Sequence, residues 1–363
     1  MAAAHTLVIA EAGVNHNGSL ARALELVEVA AAAGADAVKF QTFRAQALVT
    51  RAVPKAEYQV ANTGDAASQM EMLKALELDA AAHLGLRDRC RELGIVFLST
   101  PFDRESLVFL AGELGVPTLK IGSGDLTNGP LLLAAAQTGL PVILSTGMSG
   151  LAEVEDALGV LAFGYATAGA LPGQEAFRAA FASPAGRLAL RERVTLLHCT
   201  TEYPAPFDQV NLRAMDTLAA AFGLPVGLSD HTPGIAVAVA AAARGARVIE
   251  KHFTLDRNLP GPDHRASLEP DELAGLVRSV RQVEAALGDA LKCPTEAEWK
   301  NLPIARRGLV AVRPVRKGER FTADNVEVKR GGGDSPMNYW DWLGRTADRD
   351  YAEDEALRTW IGR

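Results

Sequence analysis

The feature that most limits the fold of this 363-residue chain is a repeated unit: a short apolar run, a polar or glycine-rich turn, then an amphipathic helix. Near-continuous apolar runs separated by helices are typical of buried parallel strands. Eight consecutive units of this kind predict a (β/α)₈ TIM barrel. The runs are residues 7–10, 37–40, 96–99, 118–121, 142–145, 195–198, 226–229 and 248–251.

An open, doubly wound α/β sheet is the structural alternative to the barrel. Such a sheet usually carries a glycine-rich nucleotide-binding fingerprint after its first strand. Here Gly13 and Gly18 flank Asn15, His16 and Asn17, and this spacing does not match the fingerprint. The pattern therefore favours the barrel.

The predicted helices carry recognisable start and stop signals. Ser19 is the expected N-cap of a helix over residues 20–33, and Gly34 follows in a position typical of a helix end. A buried face at helical spacing is expected for this helix. Its predicted members are Leu20, Leu24, Val27 and Ala31. Three further helices are expected to end at Gly94, Gly115 and Gly245.

The composition changes near the C-terminal end of the chain. All four tryptophans lie in this last part, together with short strand-like runs separated by turn signals. We expect a barrel domain at residues 1–287, a linker at 288–303 and a small α+β domain at 304–363. Two segments longer than ordinary loops, 43–78 and 164–193, are expected to shape the mouth of the barrel.

Charge and cysteine content exclude several classes of protein. The net charge of −7 lacks the basic excess that a nucleic-acid-binding face requires, so no nucleic-acid partner is expected. Three widely spaced cysteines form no disulfide framework and suit a reducing compartment. The first residues lack the basic region of a signal peptide, and no apolar run reaches about 18 residues. We expect a cytoplasmic protein without a membrane span.

Two lysines within the apolar runs suggest an anion site. The active site of a TIM barrel lies at the carboxyl ends of its strands, where Lys39 and Lys120 occur. A buried lysine is costly without an anionic partner. With the hydroxyls of Ser123 and Ser145 and the nearby glycine backbone, these lysines can hold a phosphate. The alternative, that each lysine pairs with a structural carboxylate such as Glu11 or Glu250, remains open.

Two histidines end neighbouring runs. His231 and His252 close the seventh and eighth runs, which brings two imidazoles within reach of one divalent ion. Two core or hydrogen-bonding histidines are the alternative, and His198 is a competing ligand. Glu11, at the end of the first run, can act as a general base or orient a water. A salt bridge to Lys39 is the alternative for Glu11.

The polar stretches, in their order along the chain, resemble the sialic acid synthases and the relatives that make other nine-carbon sugar acids. The barrel stretches are residues 10–18 (AEAGVNHNG), 38–41 (VKFQ), 99–102 (STPF), 120–124 (KIGSG), 145–148 (STGM), 198–200 (HCT), 229–232 (SDHT), 250–254 (EKHFT) and 261–263 (GPD). Residues 306–311 (RRGLVA), 317–319 (KGE) and 328–330 (VKR) resemble the antifreeze-like (SAF) domain of these enzymes.

The resemblance implies a reaction and a set of site residues. Phosphoenolpyruvate would condense with open-chain N-acetylmannosamine, or a close analogue, and water to give a nine-carbon 2-keto sugar acid and phosphate. The implied catalytic residues are Glu11, which would handle the water, and His231 and His252, which would hold Mn²⁺ or Mg²⁺. The implied phosphoenolpyruvate contacts are Lys39, Thr100, Lys120, Ser123, Ser145 and Thr201. The implied sugar contacts are Gln41, Asp125, Tyr203, Asp263 and Arg330.

The resemblance also implies a domain-swapped homodimer. In this family the small domain covers the partner's barrel mouth, where an arginine contacts the N-acetyl group of the sugar. Arg330 occupies the matching position.

Two departures from the family pattern leave the sugar open. Thr201 stands where the best-known bacterial members have asparagine, and Asp125 where some have glutamate. The stretch 201–206 (TEYPAP) is also seen in relatives that make legionaminic acid from 2,4-diacetamido-2,4,6-trideoxymannose, and a shorter Asp125 leaves room for an extra acetamido group. N-acetylneuraminate synthesis is the main prediction, and legionaminic acid synthesis is the alternative.

Other classes of function remain more distant alternatives. A barrel aldolase would use Lys39 or Lys120 as a Schiff-base nucleophile. A saccharide-binding or ice-binding protein would use the C-terminal domain without catalysis.

Overall fold

The structure is a computed structural model that describes residues 5–51, 53–64, 68–167 and 169–359. The predictions made for residues 1–4 and for Trp360 fall outside this part of the chain. Clustering of contacts divides the chain into two compact units, 1–289 and 290–363. Each unit has its own hydrophobic core.

Eight parallel strands form the centre of the first unit. They pair in the order β3-β2-β1-β8-β7-β6-β5-β4, and β3 lies beside β4, so that the sheet closes on itself. This arrangement confirms the predicted barrel. The strands are β1 (Leu7–Gly13), β2 (Ala37–Thr42), β3 (Val96–Pro101), β4 (Leu119–Ile121), β5 (Val142–Ser145), β6 (Val194–Cys199), β7 (Val226–Asp230) and β8 (Val248–His252).

Helices surround the barrel and pack on the outer faces of the strands. Of the helices in the described ranges, none combines the length and the apolar character needed to cross a membrane. The helices of this unit are α1 (Leu20–Ala32), α2 (Ala45–Leu48), α3 (Glu57–Thr63), α4 (Gln69–Leu76), α5 (Ala80–Leu93), α6 (Arg104–Phe109), α7 (Gly129–Gln137), α8 (Leu151–Ala166), α9 (Gln174–Ala182), α10 (Pro184–Arg193), α11 (Ala214–Phe222), α12 (Ala236–Ala243) and α13 (Pro270–Leu287).

The helix ends follow the predicted signals. The side chain of Ser19 accepts a hydrogen bond from the backbone N–H of Arg22 and caps α1. Gly94 follows α5 with a φ of 71°, a conformation that favours glycine. Helix α5 begins at Ala80, where the side chain of Asp79 accepts a hydrogen bond from the backbone N–H of Ala82 and provides the N-cap.

The prediction of the buried face of α1 is wrong: the face that is buried is displaced by about one residue from the predicted one. Leu20 is 41% exposed, and Leu24 and Ala31 lie half-buried at the edge of the core. The face that is buried consists of Ala23, Leu26, Val27 and Ala30.

The two long segments have different positions. Residues 43–78 follow β2 and contain α2, α3 and α4, at the carboxyl end of the barrel where the mouth lies. Residues 164–193 follow helix α8 rather than a strand, and their helices α9 and α10 pack against α8. The prediction that this second segment shapes the mouth is therefore wrong, because a connection from helix to strand runs on the opposite end of the barrel.

The second unit is a small α+β domain, as predicted. Its strands β9 (Arg307–Ala311) and β10 (Val326–Arg330) pair in antiparallel register, with Val328 opposite Leu309. Its short helices are α14 (Glu296–Trp299), α15 (Leu302–Ala305) and α16 (Tyr339–Trp342). The core contains Leu309, Ala311, Val315, Phe321, Val326, Trp342, Ala347, Tyr351 and Leu357.

The barrel interior predicts a specific intolerance at Gly227 on β7. A Cβ there would lie 2.3 Å from the carbonyl oxygen of Val248 and 2.8 Å from a methyl group of Leu197. Gly227→Ala should lower the free energy of unfolding by about 1–3 kcal/mol, because backbone and a packed side chain must move. Chemical denaturation measures this. Gly85→Ala is the control: the position is on α5, nothing lies within 4 Å of its Cβ, and a gain of about 0.5–1 kcal/mol is expected. Equal effects of the two substitutions would contradict the packing of β7 against β8.

Candidate active site

The side chains that face the barrel interior form an apolar layer and, next to it, a polar layer in which the site lies. Inward-facing residues near the amino ends of six strands form one buried cluster, Ile9, Ala37, Leu98, Ile143, Leu197 and Val248. Side chains two residues further along a strand face the same side. Those positions are Glu11, Lys39, Thr100, Ser145, Cys199 and Glu250. The polar layer therefore lies directly above a layer that excludes water.

The polar layer lines a cavity of about 150 Å³. It brings together most of the site residues that the sequence predicts. These are Glu11, Lys39, Gln41, Thr100, Lys120, Ser123, Ser145, Thr201, Tyr203, His231 and His252. The remaining lining residues are Phe102, Gly122, Gly124, Cys199, Ser229 and Glu250.

A larger cavity of about 440 Å³ lies outside the barrel, between β2, α5 and α6. It is mainly apolar, and the polar side chains at its inner end, Thr42 and His83, are hydrogen-bonded to each other. The smaller cavity contains buried polar atoms that lack hydrogen-bond partners in the described ranges, including Ser145 Oγ and His252 Nδ1. Unpaired buried polar groups are expected where a ligand binds, so chemistry rather than volume identifies the site.

Four buried charges form a connected network in the cavity. Lys39 Nζ lies 2.7 Å from Glu11 Oε2 and 3.6 Å from Glu250 Oε2, and Lys120 Nζ lies 3.1 Å from Glu250 Oε1. Lys39 also donates a hydrogen bond to Thr100 Oγ1 at 3.0 Å. Each lysine therefore pairs with a carboxylate and also faces the cavity, so the two alternatives for the lysines do not exclude each other.

The pKa values of the two glutamates are shifted in opposite directions. Burial raises the pKa of Glu11 to about 7, more than the charge of Lys39 lowers it. Burial also acts to raise the pKa of Glu250, but Lys120, Lys39 and a hydrogen bond from Ser229 outweigh it and hold that pKa below its ordinary value. Paired groups with opposite shifts are typical of acid–base sites. Glu11 can exchange a proton near neutral pH, while Glu250 stays ionised.

Lys39 is unsuited to the Schiff-base alternative. Burial acts to lower its pKa, but the charges of Glu11 and Glu250 outweigh burial and raise it. A nucleophilic lysine needs a lowered pKa to supply a free amine. The network around Lys39 therefore favours an ammonium group that binds an anion.

The hydroxyl side of the cavity is shaped around Ser123. Its Oγ accepts a hydrogen bond from the backbone N–H of Gly147 at 2.9 Å and lies 3.5 Å from the sulfur of Cys199. A Cβ on Gly147 would approach Thr201 Oγ1 to 2.4 Å, so the backbone here must lack a side chain. The hydroxyls of Ser123, Ser145 and Thr201 thus meet beside Lys120, as an anion-binding group requires.

His231 and His252 lie side by side, with ring centroids 5.6 Å apart. Nδ1 of His231 lies 2.7 Å from the carbonyl oxygen of Thr200 and must donate to it, which leaves the lone pair on Nε2. Burial lowers the pKa of His231 to about 4, and burial with the neighbouring His231 lowers that of His252 well below its ordinary value. Neutral imidazoles are the form that binds metals, so this pair fits a divalent ion.

A third protein ligand is not evident in the described ranges, where no group of three or more His, Cys, Asp or Glu side chains has metal-binding geometry. His198, the competing histidine, lies 2.6 Å from the carbonyl oxygen of Val210 and does not line the cavity.

An aromatic contact not predicted from the sequence extends the site toward the 43–78 segment. The ring of Tyr203 stacks on His231 at 4.1 Å between centroids and meets His252 edge-on at 5.5 Å. Its other neighbour is Tyr58 on α3, at 5.2 Å. The sequence signal was the length of the insertion, which does not specify the residue that reaches the site.

Two other lining residues, Ser229 and Glu250, lie at strand ends, and Glu250 is a carboxylate named in the ion-pair alternative for the lysines. They occupy adjacent positions on β7 and β8, and Ser229 Oγ donates to Glu250 Oε1 at 2.8 Å. Their place at the carboxyl ends of strands was visible in the sequence. Their shared role, holding the counter-charge of two lysines, depends on the three-dimensional arrangement.

Three predicted sugar contacts lie outside the cavity lining. Asp125 is half-buried beside Ser123, accepts a hydrogen bond from Asn128 at 2.9 Å, and has its pKa raised by burial. Asp263 is buried, and desolvation raises its pKa to about 6. Arg330 is exposed at the end of β10, in the second unit. Asp125 and Asp263 therefore belong to the barrel unit, and Arg330 does not.

Comparison with known proteins identifies the family of this chain. The model of the NeuB family matches residues 26–292, and that of the SAF domain matches residues 306–359. The N,N'-diacetyllegionaminic acid synthase of Campylobacter jejuni is 48% identical, over 97% of this chain and 99% of that protein. The enzyme of the same name from Legionella pneumophila is 46% identical, over 90% and 85%.

A solved structure supports the same relationship. The crystal structure of N-acetylneuraminic acid (sialic acid) synthetase from Leptospira borgpetersenii, in complex with citrate, is similar with a TM-score of 0.65 and 35% identity. The match covers 82% of this chain and 90% of that one. The family predicted from the motifs is confirmed: this chain belongs to the NeuB family of sugar-acid synthases and carries a SAF domain.

Proposed function

We propose that this enzyme condenses phosphoenolpyruvate with 2,4-diacetamido-2,4,6-trideoxymannose and water to give N,N'-diacetyllegionaminic acid and phosphate. The observation that carries the proposal is the 48% identity to the Campylobacter synthase over nearly the full length of both chains. The similarity to the sialic acid synthetase structure is lower, at 35%. We therefore prefer the legionaminic acid alternative to N-acetylmannosamine, the acceptor of the main sequence prediction.

The buried charges suit phosphoenolpyruvate, which carries a phosphate and a carboxylate. Lys120, Ser123 and Ser145 would bind the phosphate, since Ser145 Oγ is buried without a partner in the described ranges. Lys39 and Thr100, already hydrogen-bonded to each other, would bind the carboxylate. Glu250 stays ionised between the two lysines, while Glu11, with a pKa of about 7, would be ionised in only part of the molecules near neutral pH, so the lysines are incompletely neutralised.

The proposed chemistry needs a proton acceptor beside the reacting carbon. The C2=C3 π electrons of phosphoenolpyruvate form a bond from C3 to the aldehyde carbon of the acceptor, the C=O π bond opens, and the aldehyde oxygen becomes a hydroxyl group with a proton that the reacting water loses. The oxygen of that water forms a bond to the electron-deficient C2. Glu11 in its ionised form accepts a proton from that water. The C2–O bond to phosphate then breaks, which leaves a 2-keto acid and inorganic phosphate. A pKa of about 7 suits Glu11 to this exchange.

His231 and His252 would hold a divalent ion, Mn²⁺ or Mg²⁺. The neutral state of both rings and the unpaired Nδ1 of His252 support this assignment. When bound, such an ion supplies Lewis-acid polarisation of the acceptor's aldehyde oxygen. Stacking of Tyr203 on His231 holds the imidazole ring in one orientation.

The acceptor would bind on the side of Tyr203 and Gln41, with Asp125, Asp263 and Arg330 completing its contacts. Asp263 is a buried carboxyl, and a sugar hydroxyl would satisfy its need for a hydrogen bond. The short side chain of Asp125 leaves room for a second acetamido group. Arg330 would act in a homodimer whose small domain covers the partner's barrel mouth.

One prediction from the proposed function concerns the acceptor sugar. Phosphate release from phosphoenolpyruvate with Mn²⁺ should be at least ten-fold faster, as kcat/KM, with the diacetamido sugar than with N-acetylmannosamine, because one unmatched buried polar contact costs about 1–3 kcal/mol. EDTA should abolish release with both sugars. A preference for N-acetylmannosamine would restore the sialic acid assignment. Release that persists with EDTA would remove the metal from the mechanism.

The second prediction concerns the counter-charge of the lysines. Glu250→Gln should lower the free energy of unfolding by about 3–5 kcal/mol in anion-free buffer, since two buried ammonium groups lose their shared carboxylate. Inorganic phosphate should restore part of this loss, measured as the melting temperature with and without phosphate. The control Glu92→Gln removes an exposed carboxylate and should have little effect in either buffer. An equal loss for Glu250→Gln in both buffers would contradict an anion site at the lysines.

The third prediction separates the two units. A chain ending at residue 289 should keep a cooperative unfolding transition, because the barrel core lies within the first unit, and should lose phosphate release. In the full chain, Arg330→Ala should raise KM for the sugar at least ten-fold and leave KM for phosphoenolpyruvate nearly unchanged. Arg316→Ala, another exposed arginine of the second unit, is the control. Full activity of the truncated chain would exclude a role for Arg330.

A further inference from the structure

Each candidate metal ligand follows a buried charged residue, and these two charged residues have opposite signs. Asp230 precedes His231 at the end of β7, and Lys251 precedes His252 on β8. We propose that the Asp230–Lys251 ion pair is a positioning device that fixes the spacing of the two histidines for a divalent cation. This inference rests on the metal role in the proposed function, but neither residue of the pair lines the cavity.

The pair joins the two strands where their backbone pairing ends. The β7–β8 register runs through Asp230 opposite Lys251, one residue before each histidine. Lys251 Nζ lies 2.7 Å from Asp230 Oδ2, and both side chains are 1% exposed. Since alternate residues of a strand face opposite sides, His252 faces the cavity and Lys251 faces the surrounding helices. The ion pair therefore continues the cross-strand connection on the outer side of the barrel.

The ammonium group of Lys251 also reaches past His231. It donates to the carbonyl oxygen of Thr232 at 2.5 Å, in addition to binding Asp230. The other oxygen of Asp230 accepts hydrogen bonds from the backbone N–H and the hydroxyl of Thr232, at 2.9 and 2.8 Å. The residues before and after His231 are thus bound to one ammonium group, which belongs to the residue adjoining His252.

Other contacts hold His231, and on the inner side of the barrel the Tyr203 ring contacts both histidine rings. The backbone N–H of Ala205 donates to the His231 carbonyl at 2.9 Å, and the His231 ring donates to Thr200. Both of these contacts come from the segment after β6. On the outer side of the barrel, the Asp230–Lys251 pair joins the residue before the β7 ligand to the residue before the β8 ligand.

The energetics of buried ion pairs favour positioning over stability as the role. Two charges lose their hydration on burial, and an apolar pair of similar volume is often as stable or more stable. A buried pair beside two metal ligands can instead orient those ligands. Substitution of groups that orient metal-binding histidines typically lowers metal affinity by about 10–100-fold.

The test compares metal affinity with stability in the full-length protein. The double variant Asp230→Leu/Lys251→Met replaces the ion pair by apolar side chains, and Asp230→Asn weakens it while keeping an acceptor for Thr232. Mn²⁺ affinity, measured by electron paramagnetic resonance or calorimetry, should fall at least ten-fold in both variants. The melting temperature of the double variant should stay close to that of the wild type. Phosphoenolpyruvate binding without metal should change less than two-fold.

Asp36→Asn is the matched control. Asp36 precedes β2 at the amino end of the barrel and pairs with Arg281 at 2.5 Å, so its loss weakens an ion pair remote from the histidines. This variant should lose some stability and keep wild-type Mn²⁺ affinity. Equal Mn²⁺ affinity in wild type and the double variant would overturn the proposal and leave the proposed function intact.

Two further outcomes also test the proposal. If the double variant does not fold, Asp230→Asn alone provides the comparison, and unchanged Mn²⁺ affinity in that variant overturns the proposal. If the wild type binds no Mn²⁺, the metal role fails and this inference fails with it. That result is distinguished from failure of the inference alone because it appears before any substitution is made.

Discussion

The structure of the site depends on the burial of four charges inside the barrel. Glu11, Lys39, Glu250 and Lys120 lie within ion-pairing distance in one chain of contacts, above a floor of apolar side chains. None of these charges would be stable there alone, because each would lose its hydration without compensation. The network therefore exists only when the strands pair in this register and exclude water below it. Fold and site are consequences of the same arrangement.

The network also explains how one small cavity can bind an anion and move a proton. Glu250 remains ionised between two ammonium groups, while Glu11 titrates near neutral pH because burial outweighs its pairing with Lys39. A substrate phosphate and carboxylate would meet lysines that are held in place but incompletely neutralised. The barrel thus provides electrostatic preorganisation, because the charged side chains are held by buried contacts on its strands.

The two faces of strands β7 and β8 have separate tasks in this account. The inner face carries the histidines and the Ser229–Glu250 hydrogen bond, and the outer face carries the Asp230–Lys251 pair. Period-two alternation makes this division unavoidable once the register is set. The same motif letters, SDHT and EKHFT, therefore contain both the groups that line the cavity and the ion pair to which we assign a positioning role.

The sequence by itself determined the barrel, the small second domain and the layer of polar strand ends, because apolar periodicity and strand-end position are local properties. It also indicated the family, which the comparisons confirmed. It did not determine which face of α1 is buried, where the 164–193 segment lies, or that Tyr58 reaches Tyr203. Only the tertiary structure decided these points and the opposite pKa shifts of Glu11 and Glu250, because each depends on contacts between residues distant in the chain.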